Sequence, residues 1–112
     1  LMGISSSSTE LTLSQWQMIS DKVTSGVYVV SVTPGGPADQ AGLIGGTKPT
    51  DLQGFYSGGD IITAVDGIPV KVYGDLISYI FKYKSPGDVI TLTIIRNGQQ
   101  KEVELTLGSR SQ

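Results

Sequence analysis

Pro34-Gly35-Gly36-Pro37-Ala38-Asp39-Gln40-Ala41-Gly42-Leu43, answered by Gly59-Asp60-Ile61-Ile62-Thr63-Ala64-Val65-Asp66-Gly67-Ile68-Pro69-Val70, decides how this chain folds. A Pro/Gly turn leads into a short Ala-rich helix. Pro37 suits the first helical position because the amide it lacks has no partner there, and Gly42 suits a left-handed stop. A Gly-Asp turn then opens a β-branched strand, which Asp66-Gly67 ends as a tight hairpin signal.

Further strands are predicted on either side. Val27–Val32 is dense in β-branched and aromatic residues, as expected of a strand buried on at least one face, and 90–95 and 103–107 repeat that character. Asn97-Gly98 joins the last two as a hairpin, so the sheet is mostly antiparallel. Residues 12–19 place Leu13, Trp16 and Ile19 near one helical face, with Thr12 or Ser14 as the cap and Trp16 as packing. From 75 to 84, apolar residues occupy positions 76, 77, 79, 80, 81 and 83. One core-facing stripe does not need so many, so this helix is expected to pack inward on one side and line an apolar surface on another. Asp75 at its start and Lys82 and Lys84 at its end complement the helix dipole, and Pro86-Gly87 stops it.

Composition bounds the function. Charged residues make up 16% of the 112-residue chain, below the usual quarter or so, so Ser, Thr, Gly and Gln must carry the surface of what reads as a single domain. A formal charge of −2 without a Lys/Arg cluster excludes a nucleic-acid footprint and a polybasic membrane anchor. The absence of histidine excludes a Ser-His-Asp or Cys-His system within these residues. Without His, Cys or a repeated acidic loop, no metal site is expected. The glycine pairs 35–36, 45–46 and 58–59 lack the lysine and strand-to-helix setting of nucleotide loops, so no cofactor is expected. Asp60, Asp66 and Asp88 each adjoin glycine in a turn, where local hydrogen bonding favours Asp, and are read as structural rather than catalytic.

These motifs in this order resemble a PDZ domain, specifically the circularly permuted kind found in the HtrA/Deg family of trypsin-like serine proteases. The resemblance covers nearly the whole chain: Gly26-Val27-Tyr28-Val29-Val30, Pro37-Ala38 with Ala41-Gly42-Leu43, Gly59-Asp60-Ile61-Ile62, the Leu76 helix, Pro86-Gly87-Asp88 and Arg96-Asn97-Gly98. It implies an α+β, mostly β fold, a partly open antiparallel sandwich or barrel of five to six strands capped by two helices. The final strand would run from 101 to 107. The single domain spans 1–112, and the resemblance places a protease domain upstream of it. The departure is 44–58, a stretch of fifteen residues where such domains generally need two or three. Its Gly45, Gly46, Pro49 and Gly54 predict a loop, and Leu52, Phe55 and Tyr56 an apolar anchor folding it back on the body.

The resemblance also implies a site. Leu1, Met2, Gly3 and Ile4 look like the loop whose amides hold a peptide carboxylate, with Gly3 allowing close approach. Composition alone reads Ser5-Ser6-Ser7-Ser8 as a linker. The loop before it makes Ile4, Ser5, Ser6 and Ser7 an edge strand on which a peptide would pair. Leu76, Ile80 and Tyr83, at i, i+4 and i+7, would line a pocket for an apolar last residue. The expected partners are peptide or protein C-termini with an apolar last residue and the protease domain of the same polypeptide, within a homo-oligomeric, extracytoplasmic parent. The domain would recruit substrates for, or regulate, a serine endopeptidase in protein quality control. Two alternatives stand beside this: an interaction domain of a site-2 protease or secretion component, and a structural domain whose groove its own insertion closes.

Overall fold

The β-branched runs pair into an antiparallel sheet that combines tight hairpins with pairings between segments far apart in sequence. The structure, a computed structural model, describes the backbone of residues 4–6 and residues 26–49, 56–96 and 98–108. Strands β1 (Ile4–Ser6), β2 (Val27–Val32), β5 (Ile61–Val65), β7 (Val89–Arg96) and β8 (Gln99–Thr106) lie side by side in the order β1-β2-β5-β7-β8, with β6 (Ile68–Pro69) also on β5. A separate pair joins β3 (Lys48–Pro49) to β4 (Tyr56–Ser57). The two described helices are α1 (Pro37–Ala41) and α2 (Tyr73–Tyr83). The fold is therefore mostly β, with sheets that stay open rather than closing into a barrel.

The predicted local signals act as expected. Pro37 opens α1, and Gly42 ends it at φ 89°, its amide reaching back to Ala38 and Asp39 carbonyls. Asp66 and Gly67 both take positive φ, 49° and 82°, letting Val65 pair with Ile68 across a two-residue turn. Along β7, Ile90, Leu92 and Ile94 are fully buried while alternate residues are not, the signature of a sheet with one face on the core. Leu76 and Ile80 of α2 close that core over Val29, Ile62 and Leu105. The helix begins at Tyr73, two residues before the expected start, because the Asp75 carboxylate accepts the Lys71 amide at 3.0 Å and so stabilises the turn ahead of it.

Two expectations need correction. Of the three turn carboxylates, only that of Asp88 keeps to a local partner, accepting the Ser85 amide at 2.9 Å. Asp60 is completely buried and grips Arg96: Nε donates to Oδ1 at 2.8 Å and Nη2 to Oδ2 at 2.7 Å. The Ile44 amide adds a third donor at 3.0 Å, and Arg96 Nη2 also donates to the Gly42 carbonyl at 2.9 Å. Asp66, likewise, reaches across to β7 and α2. A carboxylate beside glycine in sequence looks local. At Asp60 burial decides otherwise, because a buried charge must find donors wherever they lie, whereas at exposed Asp66 the fold brings Thr91, Tyr79 and Lys84 within reach. The second correction concerns 44–58, which is not a plain loop: its described ends pair as β3 and β4. Tyr56 does not anchor it through its ring, which is 48% exposed; its carbonyl does, by accepting the Tyr28 hydroxyl at 2.6 Å. Leu52, Phe55 and the helix expected over 12–19 lie outside the described residues.

Replacing Arg96 with Met removes the bidentate partner of a fully buried carboxylate. The expected cost is about 3 kcal/mol, within the range for breaking a buried pair. Adding Asp60→Asn to Arg96→Met should recover part of it, since the amide carries no charge to strand. Urea denaturation of the two variants checks this, and a loss below about 1 kcal/mol for R96M would show that the pair does not hold the fold.

Candidate functional site

β1 ends the strand order, with β2 on one side and, among the described residues, no strand on the other. Its backbone therefore offers N–H and C=O groups along one edge, the property needed to accept another extended chain. Ile4, Ser5 and Ser6 form this strand, paired to Val32, Ser31 and Val29. The pairing skips Val30, so β2 carries one extra residue at this point, a bulge. Leu1, Met2 and Gly3, expected to hold a carboxylate, and Ser7, expected to extend the edge, lie outside the described residues.

The expected pocket residues divide. Leu76 and Ile80 are buried in the core cluster, at 0% and 1% exposure, while Tyr83 is 60% exposed. The Tyr83 ring lies 5.1 Å from that of Tyr79, and the Lys82 ammonium sits 5.5 Å from its centroid, a cation–π distance. Phe81, 53% exposed, and half-buried Ile77 complete the apolar positions that a single inward stripe did not require. α2 is thus apolar on two sides, one packed on the sheet and one carrying partly exposed aromatics.

Asp66 fastens the end of this helix. Its Oδ1 accepts the Thr91 amide at 2.8 Å, and its Oδ2 accepts the Tyr79 hydroxyl at 2.8 Å and lies 3.2 Å from Lys84 Nζ. Sequence reading missed this hub, because nothing local to Asp66 indicates that a helix thirteen residues on delivers a hydroxyl to it. Burial works to raise the Asp66 pKa, but the Thr91 amide, the Tyr79 hydroxyl and the Lys84 ammonium outweigh it and hold the group below the ordinary 3.8. The same bonds push Tyr79 and Lys84 upward.

Residues 1–107 match the PDZ domain family. The chain belongs to it. Among the relatives of this PDZ domain, Protease Do-like 1, chloroplastic, of Arabidopsis thaliana is 34% identical over 91 residues, 81% of this chain and 20% of that protein. The periplasmic pH-dependent serine endoprotease DegQ of Escherichia coli is 34% identical over 85 residues, 76% of this chain and 16% of that protein. The chain thus spans at most a fifth of the length of these relatives, which belong to the HtrA/Deg proteases that the motifs resemble. The fold agrees with that of the HtrA-type protease AlgW with decapeptide, at TM-score 0.75 and 23% identity over 98% of this chain and 29% of that one. It also agrees with the HtrA3 PDZ domain bound to a phage-derived ligand (FGRWV), at TM-score 0.67 and 24% identity over 95% of this chain and 82% of that one.

Two predictions follow from α2 and its anchor. Leu76→Ala should cost about 2–5 kcal/mol in denaturant unfolding, the range for truncating a buried Leu, whereas Tyr83→Ser should change stability by less than about 1 kcal/mol. For Asp66→Asn, the sign is set by linkage. A lowered carboxyl pKa stabilises above the unfolded value and is lost as pH falls through the folded one; raised Tyr79 and Lys84 values stabilise below 10.0 and 10.5 and are lost as pH rises through the folded ones. The stability difference between the parent and D66N should therefore be flat between about pH 5 and 9 and shrink on both sides. Urea melts across that range test it, and a difference that grows on acidification would contradict the assignment.

Proposed function

We propose that this PDZ domain binds extended or C-terminal peptides with an apolar last residue, which add as a strand to the outer edge of β1. The observation that carries this reading is the position of β1, a terminal strand with an unpaired edge among the described residues of a PDZ fold. Main-chain bonds to such an edge are indifferent to sequence, so selectivity falls to side chains beside it. Leu1, Met2, Gly3 and Ile4 are assigned to the carboxylate, and Ile4, Ser5, Ser6 and Ser7 to pairing. Tyr83 is assigned to a partly open pocket floored by Leu76 and Ile80. The burial of the last two makes their contribution one of shape. Affinity is expected to be on the order of micromolar, because a short peptide loses much freedom on ordering.

The matched relatives are named as proteases, and this supports a parent in which a serine endopeptidase domain accompanies the PDZ domain. In that setting, occupying the edge tethers an unfolded protein's end near the protease, raising its local concentration. The domain itself binds and does not cleave. The periplasmic and chloroplastic relatives fit an extracytoplasmic or organellar parent, and a homo-oligomeric assembly is part of the same proposal.

NMR titration tests the binding step with hexapeptides ending in Val, Leu, Ile, Ala or Phe, together with Phe-Gly-Arg-Trp-Val, each as free acid and as amide. Shifts at residues 2–8 and around Tyr83 with free acids only are the expected result. No shift with any peptide would overturn the reading.

A further inference from the structure

In a regular strand, successive residues turn their N–H and C=O groups to alternate neighbours. The Val29 amide donates to the Asp60 carbonyl at 2.9 Å, on the β5 side of β2. The Val30 carbonyl should therefore face β1. Instead it accepts the Gly46 amide at 3.1 Å, on the same side as Asp60. This reversed carbonyl sits at the residue that β1 skips, between the pairs Ser5 with Ser31 and Ser6 with Val29. An insertion residue thus satisfies the backbone group that the bulge withdraws from β1.

The base of the insertion fits this place with no room to spare. A Cβ on Gly45 would lie 2.8 Å from the Ser31 Cα and 2.9 Å from the Val30 oxygen, and one on Gly46 2.6 Å from the Tyr28 hydroxyl and the Tyr56 carbonyl. Tyr28, two residues before Val30, holds the C-terminal end of the insertion, its hydroxyl donating to Tyr56 and accepting the Gly59 amide at 3.1 Å, and Gly46 packs against that same hydroxyl. Burial raises its pKa, with the Gly59 amide opposing and Asp60 adding, so the proton it donates to Tyr56 is retained.

We propose that the base of the insertion sets the register of the peptide-pairing edge, with Tyr28, Gly45 and Gly46 as positioning residues that hold the β2 bulge; this rests on the peptide-binding reading above. Without the Gly46 bond, the Val30 carbonyl loses the partner that holds it away from β1, and regular pairing with β1 becomes open to it. A return to regular pairing shifts β1 by one residue and reverses the direction of its backbone groups. The elaboration that departs from the family's usual length then acts on the site through β2, without itself touching peptide.

Tyr28→Phe and Gly45→Ala test this beside Ile90→Val, a core truncation on β7 that lowers stability without touching β2. Cross-strand Cα proton contacts of Ser5 with Ser31 and Ser6 with Val29 are followed by NMR in the free domain, and the Kd for the tightest free-acid peptide of the panel is measured under conditions where each variant stays folded. The expected result is altered β1 contacts and a roughly five- to tenfold weaker Kd for the two β2 and insertion variants, the scale of one backbone hydrogen bond, with I90V unchanged in both. Unaltered contacts in both variants overturn the proposal whatever the peptide does, and so do altered contacts with an unaltered Kd, or I90V matching them in Kd. A parent that binds no peptide defeats the peptide-binding reading instead, and this inference with it. Should Y28F fail to fold, G45A carries the test.

Discussion

The buried carboxylate of Asp60 is the constraint on which the rest of the arrangement depends. Placed in the interior with no exposure, it must be met by donors. It takes three, two from the planar fork of Arg96 and one from the Ile44 amide. Those donors come from the end of β7 and the start of the insertion, and Arg96 spends its remaining reach on the carbonyl of Gly42, the helix-stopping residue. Asp60's own backbone closes the circuit, donating to Ile44 and accepting from Val29. Asp60, through its carboxylate, its backbone and its partner Arg96, therefore joins β2, the end of α1, the start of 44–58 and β7, and Arg96 reaches Gly42 across 54 residues of sequence.

From that junction the insertion can run along β2 instead of away from it. Where β5 stops pairing with β2, residues 44–46 take its place, and glycine is required because the backbones approach closer than any Cβ permits: at Gly59 an added Cβ would stand 2.4 Å from the Val29 carbonyl. The Tyr28 hydroxyl serves as both donor and acceptor there, so a single polar atom on a β strand secures an elaboration that composition would leave as a loose loop. The far side of β2 carries β1, so whatever holds the bulge in β2 also bears on the edge that a peptide would meet.

At the other margin of the site, α2 divides its surplus of apolar residues between two duties. Leu76 and Ile80 complete the core, while Phe81 and Tyr83 stay half exposed. Asp66 locks the end of the helix to the β5–β6 turn and to β7, so the aromatic face is carried on a fixed platform. Rigid support of this kind matters for weak binding, since every side chain already ordered is one whose freedom need not be lost on association.

The local rules of the chain were legible from its residues. Proline and glycine bounded α1, Asp66-Gly67 turned the β5–β6 hairpin, and alternating β-branched runs formed antiparallel strands, because these outcomes depend on the φ preferences and periodicity of a few neighbouring residues. The order of these motifs also carried the family, and the excess of apolar residues in α2 announced its second exposed face. Which partner each polar group takes was not written locally. That Asp60 faces Arg96 rather than its own turn, that Asp66 gathers Tyr79 and Lys84, that Tyr56 holds by its carbonyl and not its ring, and that Val30 turns its carbonyl to Gly46 all depend on segments brought together from far along the chain. The tertiary structure decided them, because only folding places these donors and acceptors within reach of one another, and where burial removes water as a partner, as at Asp60, no other choice is left.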